Sequence, residues 1–161
     1  MTKVFEDEFM DWQADMVANA REYIDDRAEK IYLYGSIENG RYSFNLFFKI
    51  HNKIVTMNKV NTILDAGEQE YDLDSDRRWN VLQLGTEDLI KIEEVCKKYE
   101  KPMPTQFKLY YDVQKNSLKA KYQYELLYSN DDDLDPSDIF MAWYEEVKKE
   151  VENPPLEFGF E

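Results

Sequence analysis

The densest group of residues able to do chemistry lies in "YSNDDDLDPSDIF", residues 128–140, where five aspartates fall between Ser129 and Asp138. Carboxylates this close together can ligate a cation, start a helix, or face a basic partner. The first option fails on spacing. A calcium loop of the EF-hand type needs oxygen ligands at positions 1, 3 and 5, glycine at 6 and glutamate at 12. Counted from Asp131, the ligands are Asp131, Asp133 and Asp135, but Pro136 stands at the glycine position and Ala142 at the glutamate. We expect no metal centre. A helix start accounts for part of the run: Asp135 is an N-cap residue type, Pro136 suits the first helical position, and Asp138 places negative charge at the third. That leaves Asp131, Asp132 and Asp133, which we assign to an exposed surface able to attract positive charge.

Other reactive side chains are few. His51 is the one histidine, at a strand end beside a turn, and reads as a surface residue. Cys96 shares helical spacing with Leu89, Ile92 and Tyr99 and reads as buried and unactivated. Glycine-rich phosphate loops, CxxC pairs and HExxH are absent from the sequence. Carboxylate pairs suited to glycosyl chemistry are inevitable among 34 acids, so they point nowhere in particular. We expect no catalytic residues, no cofactor and no small-molecule substrate. Tyrosines on a sheet face, such as Tyr32, Tyr34 and Tyr110, offer a second kind of binding surface, unless they simply pack beneath a helix.

The composition excludes further classes. A chain of 161 residues, 43% hydrophobic and 15% aromatic, can bury one core and is expected to form one domain over residues 1–161, with 153–161 as a flexible tail. The formal charge of −14 repels phosphate backbones and anionic lipid, so neither nucleic acid nor membrane is an expected partner. No apolar run is long enough to span a bilayer, and the acidic start "MTKVFEDEF" lacks a signal-peptide layout. With one cysteine, the expected location is the cytoplasm. Charge is also segregated: Lys97 to Lys121 holds seven bases and two acids, Tyr122 to Glu161 two bases and twelve acids.

The elements that must position these groups follow from periodicity. Phe5, Phe9, Trp12, Met16, Ala20 and Tyr23 keep three-and-four spacing, which predicts an amphipathic helix over about residues 3–27. The stretch "KIYLYGSIENGRYSFNLFFKIHNKIVTMNKV" predicts a three-stranded meander ending near Val60, reversed at Asn39-Gly40 and at Asn52-Lys53. Ile31, Leu33 and Ile37 should share a core face with Tyr42, Phe44, Leu46 and Phe48. Residues 61–75 read as an acidic connecting loop. A short helix is expected from Ser75, broken at Gly85, with Thr86 capping another that runs to about Tyr99. "TQFKLYYDV" and "SLKAKYQYE" alternate as a hairpin, with Phe107, Leu109, Tyr111 and Val113 matched to Leu118, Ala120, Tyr122 and Tyr124. A last helix over about 136–152 ends at "NPP". The order α-βββ-α-ββ-α predicts an α+β domain with an antiparallel sheet of about five strands and helices packed on it.

The stretch "PTQFKLYYDVQKNSLKAKYQYELLYSNDDDLDPSDIFMAWYEEVKKE", preceded by the "IYLYGSIENGRYSFNLFFKI" hairpin, resembles the YezG-like proteins, immunity or antitoxin proteins of bacterial polymorphic toxin systems. The likeness runs from the first helix to about Glu152. Its most specific part is the late hairpin, the acidic turn, the "LDPSDIF" helix start and the "WYEEV" continuation. It implies a small cytoplasmic, non-enzymatic protein that neutralises a cognate toxin, in several members a nuclease. Such a toxin presents a basic groove, and carboxylates could occupy it in place of phosphates. A binding adaptor or secretion chaperone that holds a partner without inhibiting it is the alternative.

Overall fold

A computed structural model describes residues 4–153, so all but the first residue of the expected tail lies outside the described residues. The chain runs through α1 (Phe5–Tyr23), β1 (Lys30–Glu38), β2 (Arg41–Ile50), β3 (Lys53–Thr56), a 3-10 turn (Val60–Ile63), α2 (Ser75–Lys98), β4 (Gln106–Asp112), β5 (Ser117–Gln123) and α3 (Pro136–Glu152). The strands form one antiparallel sheet in the order β3-β2-β1-β4-β5, giving the expected α+β class. Asn39 and Gly40 both take positive φ, as the tight β1–β2 reversal requires. The second reversal is centred one residue earlier than expected, on His51 and Asn52, which carry φ of 53° and 60°.

Alternation divides the sheet into two faces. Ile31, Leu33, Ile37, Phe44, Leu46, Phe48, Phe107, Leu109 and Tyr111 pack with α1 and α2 in the larger core. The pairing of these faces is as the alternation predicts, except that Tyr124 lies beyond β5 and is exposed. On the opposite face α3 packs Phe140, Trp143 and Val147 against Tyr32, Tyr34, Phe47 and Ile54.

Three boundaries differ from expectation, two of them for reasons visible in the packing. α1 stops at Tyr23 because Asp25 and Asp26 adopt left-handed φ of 54°, and the Arg21 Nε–Asp26 Oδ1 pair at 2.6 Å closes that corner. β3 ends at Thr56 rather than Val60. α2 is continuous where two helices were expected: Thr86 does not cap, and its Oγ1 donates instead to the Leu82 carbonyl at 3.0 Å. Glycine at position 85 serves close approach, since a Cβ there would lie 2.2 Å from the Phe44 ring. Seating α2 directly on β2 outweighs the ~1 kcal/mol that glycine costs inside a helix.

Candidate functional site

The acidic turn is held from below by the last residue of β1. Glu38 is 2% exposed, and one carboxylate collects four donors. Oε2 accepts the Leu127 N–H at 2.8 Å, while Oε1 accepts the N–H groups of Tyr128 at 3.3 Å and Ser129 at 3.1 Å and the Ser129 hydroxyl at 2.7 Å. Burial pushes its pKa up, but these hydrogen bonds outweigh it and hold the group below the usual carboxylate range. The buried Tyr128 hydroxyl meets Ser36 Oγ at 2.8 Å, fixing the same segment to β1 a second time.

The far end of the turn is fixed by α3. Asp135 Oδ1 accepts from Ser137 N at 2.9 Å and Asp138 N at 3.2 Å, and Asp138 Oδ2 accepts from Asp135 N at 3.0 Å, completing a capping box with Pro136 at the first helical position. The Ser137 hydroxyl bond, first, and the Asp138 N–H keep Asp135 below its ordinary pKa. Between the two anchors, Asp131 Oδ1 accepts the Asp133 N–H at 2.9 Å. The Asp131 carbonyl also takes the Leu134 N–H. Asp131, Asp132 and Asp133 are exposed, and none joins an ion pair among the described residues.

The three tyrosines share the α3 side of the sheet, with Tyr32 and Tyr110 edge to face at 6.0 Å, and they differ in cover. Tyr32 is 5% and Tyr34 0% exposed, so the expectation of partner anchors is corrected for both: they pack beneath α3. The Tyr32 ring stacks on Phe47 at 4.6 Å, and Tyr34 meets Phe140 at 5.8 Å. Burial pushes the Tyr32 phenol up to about 12 and raises Tyr34 likewise. Tyr110 is half-buried, with Trp143 on one side at 5.5 Å and the Lys121 ammonium over its ring at 5.4 Å. It pairs with Tyr32, six residues down β1 from Glu38 and so about 20 Å from the turn.

Two further titratable clusters emerge. His51 Nε2 lies 2.5 Å from Glu68 Oε1, and Asp65 Oδ2 is 3.6 Å from the same nitrogen, so two acids of the connecting loop clasp the β2–β3 turn. The Glu68 bond, first among several causes, raises the His51 pKa. Glu68 Oε1 also accepts the Asp65 N–H at 2.6 Å and Arg27 lies 3.6 Å from Oε2, so the carboxylate is already satisfied by protein groups. On the other side of the molecule Asp88 of α2, 4% exposed, sits against Asp15 of α1. Burial first, then the Asp15 hydrogen bond and charge, push Asp88 up to about 8.

Sequence reasoning missed Glu38 and a row of lysines. Alternation alone could have found the row, because Lys119 and Lys121 are two apart on one strand and register sets them opposite Tyr110 and Lys108. Nothing local marks Glu38, whose partners lie about 90 residues away. No helix among the described residues is long and apolar enough to cross a membrane. A scan against protein-family models finds no match to this chain, and a search of curated proteins finds none either.

Proposed function

We propose that this chain is a cytoplasmic, non-enzymatic immunity protein that binds and neutralises a cognate toxin domain with a basic surface, a nuclease being the chemistry that best fits. The observation that carries the reading is the turn bearing Asp131, Asp132 and Asp133, exposed yet held at both ends by Glu38 and by the Asp135 capping box. A pre-ordered turn loses less conformational freedom on association than a free loop does. Its charge would steer a basic partner and speed encounter. The resemblance to the YezG-like proteins, which includes this same turn, points to the same reading.

Coexpression with the toxin domain encoded by the adjoining gene tests it. The expected result is a stable complex and restored growth. A complex without rescue would assign the chain to adaptor or secretion-chaperone function, and no complex would remove the toxin-binding reading.

A further inference from the structure

Beyond the rings of α3, which reach no further than Tyr110 on β4, the outer part of the same sheet face carries the opposite charge to the chain as a whole. Register places Lys108, Lys119 and Lys121 side by side there, with Tyr110 between them and Lys30 at the end of the neighbouring strand. Among the described residues none of these four ammonium groups is in an ion pair. Lys108 and Lys121 lie over the Trp143 and Tyr110 rings, at 5.5 and 5.4 Å. Beside them, towards the Lys30 end of the strands, a hollow of about 230 Å³ is lined by Lys30, Tyr32, Tyr110, Asp112, Lys115 and Lys119 among others. β5 is the last strand of the sheet, so one row of its N–H and C=O groups has no strand partner.

We propose that this face binds an acidic, extended segment of a partner protein, which adds alongside β5 and sets its carboxylates over Lys119 and Lys121, with Lys108 adding to the positive field behind them. Alternate residues of an added strand point to one side with a repeat of about 6.6 Å, which matches the spacing of Lys119 and Lys121. The lysines oppose neutral or basic strands at the same edge, so they select the partner as well as guard the edge. A free nucleic acid is the poorer fit, because its long phosphate array would meet the −14 charge of the whole chain beyond this short strip. The site is separate from the acidic turn and does not depend on toxin neutralisation.

A fluorescent Glu-Thr repeat peptide, titrated against the full chain at low salt and followed by anisotropy, tests the assignment. Binding should fall about tenfold in Lys119→Glu/Lys121→Glu and less in Lys119→Gln/Lys121→Gln, and salt should weaken it. The Asp131, Asp132 and Asp133 to Asn variant should bind as the parent does. Both lysines are exposed, and matching thermal unfolding of the variants would show the fold intact. No binding at low salt, undiminished binding by the Glu variant, or displacement of the peptide by an equal charge of inorganic polyphosphate at lower concentration would each overturn the proposal.

Discussion

On one face of the sheet apolar residues from all five strands pack with α1 and α2, whereas on the other α3 lies over β3 and β2, reaches β1 and the edge of β4 only through its aromatic side chains, and leaves β5 open. The closed face is built for approach: Gly35 and Gly85 are positions where a Cβ would strike Leu89 and Phe44. The half-open face is built from rings: Tyr32, Phe47, Phe140 and Trp143 meet edge to face or stacked, with lysines continuing the surface where the rings stop. The difference shows which surface of this sheet is structural and which is available. It also explains why alternating tyrosines could be read either way: on one face, a strand apart, Tyr32 is buried beneath α3 and Tyr110 is only half-covered.

The largest effect should come from removing the ring that closes the half-open face. Trp143 is 2% exposed and touches Tyr32, Phe47 and Tyr110. Trp143→Ala should cost about 3–5 kcal/mol in chemical denaturation. A cost under about 1 kcal/mol would mean that α3 is not a cover comparable to α1 and α2.

Glu38→Gln comes next, at about 2–3 kcal/mol, because an amide keeps the shape but loses the charge that four donors share. A carboxylate with a lowered folded pKa stabilises above its unfolded value and loses that contribution as pH falls through the folded one. The parent should therefore lose stability relative to the variant as pH drops below about 4.3. Parallel pH curves would reduce Glu38 to a neutral hydrogen-bond acceptor.

Asp88 has the opposite sign. Its folded pKa, about 8, lies above the unfolded value, so the folded state holds the proton more tightly and stability falls as pH rises from about 4 to about 8, then levels. Asp88→Asn removes this slope. Thermal unfolding at about pH 8 should show the variant more stable by on the order of 1 kcal/mol, with less difference at about pH 5. A variant less stable at both would mean that burial beside Asp15 is not what sets the stability of this carboxyl.

Most of the architecture was legible in the sequence because period and punctuation agree. The aromatic alternation of residues 30–50 and the Asn39-Gly40 turn define the central hairpin, and Asp135-Pro136 marks the start of α3 to the residue. The misread positions are those where a tertiary contact overrides a local signal. Gly85 looks like a helix stop until Phe44 is placed beneath it, and His51 looks solitary until Glu68 is folded onto it. In the candidate site the caps were legible, since a cap is local chemistry. Glu38 was not, since its donors lie about 90 residues along the chain, and the lysines, although alternation puts Lys119 and Lys121 on one side of β5, stand out only once α3 is placed on the sheet.

The smallest effect on stability belongs to the three aspartates of the turn. Asn at positions 131, 132 and 133 removes the charge but keeps the side-chain oxygen by which Asp131 accepts the Asp133 N–H. The Glu38 and capping-box anchors lie outside the substitution, and adjacent like charges are relieved. Stability should therefore move by less than about 0.5 kcal/mol. Binding is expected to respond differently. If the turn faces a basic toxin surface, association should slow, most at low salt, while dissociation changes little, because exposed charges act at a distance through a screened field. Stopped-flow association at two ionic strengths separates the cases: an unchanged low-salt rate would make Asp131, Asp132 and Asp133 a solvated connection between β5 and α3 and move the search for the toxin contact to another surface.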